Sequence, residues 1–125
     1  MSKILFVGEK RSPKARKMNV TWKDGRLAAK HLFAAIERTN LDIDNCDFMN
    51  VFREILAEDV VNKNAVAIIQ NFQGTVVAMG RKVEKVLKNE GIDHEFIYHP
   101  ATRGSIRNID KYCEHFKENL GHILP

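Results

Sequence analysis

Short apolar runs ended by Gly, Asn or Pro alternate with segments of helical spacing, and that alternation constrains this chain more than any other feature of it. Ile4-Leu5-Phe6-Val7, closed by Gly8, reads as a strand buried on both faces. Gly74 opens the β-branched run Thr75-Val76-Val77-Ala78-Met79, which Gly80 closes, and Glu95-Phe96-Ile97-Tyr98 runs up to His99 and is stopped by Pro100. Residues 46–52 supply a further strand ending near Asn50, with a turn as the competing reading.

Between these runs the spacing turns helical. Residues 25–38 place Leu27, His31, Leu32, Ala35 and Ile36 on one face, with Asp24 as the N-cap. Residues 54–72 suit one or two helices broken around Asn62 to Asn64. Residues 81–89 put Val83, Val86 and Leu87 together and end at Gly91, and residues 106–120 form a closing amphipathic helix through Tyr112, Cys113, Phe116 and Leu120. Residues 9–24 are polar and basic with no sustained period, so they read as a long loop of the kind that serves a site. Strand and helix in alternation imply an α/β fold, a three-layer α/β/α domain on a four-stranded parallel sheet.

A chain of 125 residues is near the commonest size of one domain, so residues 1–125 are expected to share one core. Its 44% hydrophobic and 29% charged residues exclude a disordered chain. No run approaches the roughly 18 to 20 apolar residues of a membrane span, and the start is too short for a secretory signal, so no membrane and a cytoplasmic location are expected. Cys46 and Cys113 have no metal-ligating spacing, and no metal or cofactor is implied. The net charge of +4 is unevenly spread: Lys10, Arg11, Lys14, Arg16 and Lys17 form one basic cluster, and Arg103 and Arg107 flank Gly104 in another. Such clusters attract phosphate.

Each strand ends in a residue suited to a ligand: Gly8-Glu9, Asn50, Gly80 and His99-Pro100. In open parallel sheets ligands bind outside the carboxyl ends of the strands, so an acid, an amide and an imidazole are expected to meet in one crevice. The runs ending in Val7-Gly8-Glu9, Phe48-Met49-Asn50 and Val76-Val77-Ala78-Met79-Gly80-Arg81, followed by His99-Pro100-Ala101, resemble the successive motifs of the uracil-DNA glycosylase superfamily. The likeness is to its bacterial and archaeal branch, whose first motif begins Gly-Glu and whose last begins His-Pro. That branch holds an iron-sulfur cluster with four cysteines; with two, this chain implies none.

The resemblance implies hydrolysis of the N-glycosidic bond of uracil, or of a related damaged or modified pyrimidine, in single-stranded DNA or in a duplex from which the base is flipped. Glu9 takes the water-activating position, Asn50 reads the pyrimidine edge beside Gly8, and His99 donates to the base oxygen on which charge develops. Bond cleavage leaves an oxocarbenium-like sugar and an anionic base, which calls for a negative group and a hydrogen-bond donor in those places. Trp22, the single tryptophan, is the candidate stacking ring, against simple packing over the core edge; Phe52 is the alternative ring. Lys10, Arg11, Lys14, Gly80, Arg81, Arg103, Ser105 and Arg107 are the candidates for gripping phosphate. Two other classes stay open: a non-catalytic module of the same fold that binds nucleic acid, a nucleotide or a protein partner, and an unrelated nucleotide binder. The second lacks a Gly-x-Gly-x-x-Gly or Walker sequence after the first strand.

Overall fold

A computed structural model describes residues 3–27, 29–54, 57–101 and 108–125. Four strands, β1 (Lys3–Gly8), β2 (Cys46–Asn50), β3 (Gly74–Met79) and β4 (Glu95–Ile97), form one sheet in the order β2-β1-β3-β4, and every pairing is parallel. Side chains alternate across a strand, so β1 sends Ile4 and Phe6 to one face and Leu5 and Val7 to the other. Helices α2 (Ala29–Arg38) and α5 (Ile109–Leu120) cover the first face through Leu32, Ile36, Tyr112, Phe116 and Leu120. Helices α3 (Lys63–Gln70) and α4 (Arg81–Asn89) cover the second through Val66, Ile69, Val83 and Leu87. The expected three-layer α/β/α architecture on a four-stranded parallel sheet is therefore present.

The direction of winding locates the crevice. From β1 the chain crosses through α2 to β2 on one side, then returns through α3 to β3 on the other side of β1. That reversal parts the connections above β1 and β3, at their carboxyl ends. The register brings those ends level: Gly8 lies beside Asn50, Val7 beside Ala78 and Met79 beside Ile97.

Several local expectations are corrected. The expected loop after β1 contains a short helix, α1 (Pro13–Met18), and a 3-10 turn at Trp22–Asp24. Ser12 Oγ accepts from the Ala15 N–H at 3.1 Å and Pro13 takes the first helical position, where its missing N–H costs nothing. Asp24 does not cap α2: its carboxylate accepts the Thr21 N–H at 2.6 Å, Gly25 turns left-handed, and α2 begins at Ala29. Asn62 caps α3, while Val60 and Val61 lie outside any helix and Val61 bridges antiparallel to Phe52. The helical reading of Ile55, Leu56 and Ile106 falls outside the described residues; α5 starts at Ile109, capped by Asn108 Oδ1.

Candidate active site at the strand ends

A cavity of about 540 Å³ opens above the carboxyl ends of the strands, a size within the usual range for small-molecule sites. Glu9, Asn50, Trp22 and His99 all line it. They arrive from four parts of the chain: the residue after β1, the last of β2, the 3-10 turn and the segment after β4.

Glu9 is anchored by its backbone, whose carbonyl accepts the Phe52 N–H at 3.0 Å as the chain beyond β2 folds back. Its carboxylate points toward Gly80, so that a Cβ added there would lie 3.7 Å from Glu9 Oε2 and 3.4 Å from the His99 Cβ. Gly80 has φ +99°, a conformation L side chains rarely adopt, so glycine is required there by the backbone at the turn into α4. Burial raises the Glu9 carboxyl above its ordinary range of ionisation; Lys82 opposes that, Asp59 reinforces it, and Lys10 opposes it again. The two lysines are gathered by Asp59, which lies 2.9 Å from Lys82 Nζ and 3.5 Å from Lys10 Nζ.

His99 is enclosed on most sides, and burial pulls its pKa down to about 4. At neutral pH the ring is uncharged. Its Nδ1 accepts the Ala101 N–H at 3.0 Å, which leaves the proton on Nε2 and makes that atom a donor. The depressed pKa also carries a stability prediction. The unfolded ring, with its ordinary value near 6.5, takes up a proton that the folded ring refuses, so the contribution is complete above pH 6.5 and is lost as pH falls toward 4. Urea unfolding at pH 7 and pH 4.5 is expected to show His99→Asn losing about 2 to 3 kcal/mol less than the wild type over that interval. Equal losses in the two proteins would refute the assignment. Glu9 acts with the opposite sign, since a raised carboxyl pKa costs stability as pH rises, which is why the comparison is made between His99 variants.

Trp22 both packs against the core beneath α2 and α5 and lines the cavity. Its indole N–H donates to Asn50 Oδ1 at 2.7 Å, and its ring meets His99 edge-on with centroids 5.7 Å apart. Gly8 lies directly behind this pair: a Cβ there would come within 2.7 Å of the indole and 2.8 Å of Asn50 Oδ1. Only glycine leaves room for both.

Other candidates are placed differently. Phe52 is 6% exposed and packs in the core with Val66 and Val51, so it is not a ring for stacking. Beyond the end of β2 the chain folds back, and Phe52 forms an antiparallel bridge with Val61. The Gly80 N–H donates to the Ile97 carbonyl at 2.9 Å and is not free for phosphate. Arg81 does not line the cavity: its guanidinium lies 4.2 Å from the Phe96 ring centroid and pairs with Glu84 at 3.0 Å. Arg11 lines the cavity but is held bidentate by Glu54 at 2.7 and 2.8 Å, so it braces the wall. Lys10 is engaged by the Glu58 carbonyl at 3.0 Å. Lys14 lines the cavity without an ion pair among the described residues. Arg103, Ser105 and Arg107 lie outside the described residues.

Sequence reasoning missed Arg26, Lys82 and Asp59, all on the cavity wall. Lys82 was accessible in principle, because the strand-Gly-helix turn at Gly80 sets the first turn of α4 over the strand ends. Asp59 left no such signal. Among the described residues no group of three or more His, Cys, Asp or Glu side chains is placed to hold a metal ion, and no helix is long and apolar enough to cross a membrane. Comparison with models of known protein families finds no match to the chain, and comparison with curated proteins finds none either.

Proposed function

We propose that this protein is a monofunctional DNA N-glycosylase of uracil-DNA glycosylase type, releasing uracil or a related damaged or modified pyrimidine. The observation that carries the reading is the meeting of Glu9, Asn50 and His99 in one cavity beside an indole ring. The motif resemblance at those residues supports it independently of the cavity.

The chemistry assigns each group a task. The C1′–N1 bond breaks with its electron pair leaving on the base, and the sugar becomes an oxocarbenium ion. Glu9, ionised, steadies the cation and takes a proton from the water that attacks C1′. The Nε2–H of neutral His99 donates to the base oxygen as negative charge builds there; because the donor is already oriented by Ala101, little reorganisation accompanies the step. Asn50 holds the pyrimidine edge and Trp22 flanks it. Lys14 and Arg26 are the cavity-lining cations, free of ion pairs among the described residues, that suit a DNA phosphate.

The test is direct. Pure protein incubated with oligonucleotides carrying one uracil, single-stranded and duplex, is expected to yield strand breaks at that position after alkaline treatment. Release should fall as pH drops through a value above the ordinary 4.5 of a glutamate, because the required ionised Glu9 is lost early. A salt-sensitive gel shift without any breakage would instead identify the non-catalytic binding module.

A further inference from the structure

We infer that Trp22 is a positioning residue that fixes which pyrimidine edge the cavity accepts, by locking the Asn50 carboxamide in one of its two orientations. This rests on the proposed reading of the site as a pyrimidine pocket. A primary carboxamide is nearly symmetric in shape but opposite in polarity at its two ends. In one orientation it matches a keto edge, the carbonyl oxygen and ring N–H of uracil. Rotated by half a turn it matches an amino edge, the ring nitrogen and exocyclic amine of cytosine. An asparagine free to turn would accept either.

Asn50 is not free to turn. The indole nitrogen of Trp22 carries a hydrogen and has no acceptor capacity, so the Asn50 atom 2.7 Å away has to be the oxygen. Turning the amide would bring N–H against N–H, breaking one short hydrogen bond and leaving two enclosed donors facing each other. The Nδ2 end has no hydrogen-bond partner among the described residues and belongs to a side chain on the cavity wall, while Oδ1 keeps a second lone pair. With the base seated so that its ring N3 faces Oδ1 and its C4 substituent faces Nδ2, that locked order of acceptor and donor answers a keto edge and sets lone pair against lone pair on an amino edge.

The lock is itself held rigidly. The turn bearing Trp22 is closed by the reciprocal Thr21 and Asp24 bonds, its ring abuts His99, and Gly8 admits the indole and the carboxamide at a distance no side chain would permit. The indole can neither withdraw nor rotate without disturbing all three.

Equilibrium dialysis of free uracil and free cytosine against the wild type and Trp22→Phe tests the inference without requiring turnover. The phenyl ring keeps apolar bulk while losing the donor and part of the ring area, and the general weakening of stacking acts on both bases and cancels in the ratio. The wild type should prefer uracil, and the ratio should fall about tenfold in Trp22→Phe, the scale of one lost hydrogen bond with its unmatched partner. In a second readout on the otherwise unaltered fold, the single indole N–H resonance of the wild type should move upfield and exchange faster with solvent in Asn50→Ala. A wild type indifferent to the two bases, a ratio unchanged in Trp22→Phe, or an indole resonance blind to Asn50→Ala would each overturn the lock. None of those results touches the glycosylase reading, which stands or falls on release of uracil from oligonucleotides.

Discussion

Glu9→Gln and His99→Ala are each expected to slow uracil release by about two to four orders of magnitude, with oligonucleotide binding and folding nearly unchanged. Glutamine retains the shape of the side chain and removes both the negative charge that the proposed mechanism sets against the sugar and the capacity to take a proton. Alanine at position 99 removes the Nε2–H donor that the Ala101 bond orients. Single-turnover release measured alongside a gel shift separates the two contributions, since in the proposed mechanism both groups act after the base is seated. Release at the wild-type rate in both variants would take these residues out of the mechanism. Loss of binding together with release would mean that they build the cavity wall rather than act on the bond.

The largest effect on the fold itself is expected from Phe6→Ala. Phe6 is 0% exposed at the centre of β1, stacked on Phe48 and Phe116 with ring centroids 5.6 and 6.0 Å away, so it joins β1 to β2 and to α5 at once. Removing a fully buried ring from a packed core costs about 3 to 5 kcal/mol, against a total stability of about 5 to 15 kcal/mol for a domain of this kind. Urea denaturation should therefore show a much earlier midpoint, or a protein unfolded at 37 °C. Ile68→Ala serves as the contrast: Ile68 is 59% exposed on α3, and its truncation should stay within about 0.5 kcal/mol. Equal costs at the two positions would contradict the described core.

Strands β1 and β3 were legible because each is a short apolar run ended by a glycine and covered on both faces, which leaves no polar alternation to confuse the reading, whereas β2, with Asp47 and Asn50 in five residues, read equally as a turn. Helix α4 was legible for its clear spacing and for Gly91 at its end, with φ +68°. Helix α1 was missed although Ser12-Pro13 carried its signal, since six residues with no buried side chain produce no apolar period. Phe52 shows the limit of periodicity at the end of an element: once the chain folds back to bridge Val61, the alternation of β2 no longer decides which way a side chain faces.

The site divided in the same manner. Glu9, Asn50 and His99 were visible because a parallel sheet brings its strand ends to one side, whatever the helices between them do. The cation partners were not. Glu54 for Arg11, Asp59 for Lys10 and Lys82, and the Phe96 ring for Arg81 depend on loop paths far apart in sequence, so a basic residue that looks available along the chain is often answered in space.

The placement of the cavity walls bears on when the cavity itself comes into being. Lys3 pairs with Gly74 and Val7 with Ala78, so the central pair of strands closes a loop of about seventy residues, and His99 arrives only after a further strand is laid on. Closing a loop of that length costs chain entropy before any contact repays it, so pairings of such long range slow folding. A chain in which β4 is not laid against β3 thus has the Glu9 carboxylate without the imidazole that follows β4, so the two share a cavity only when the whole sheet is assembled.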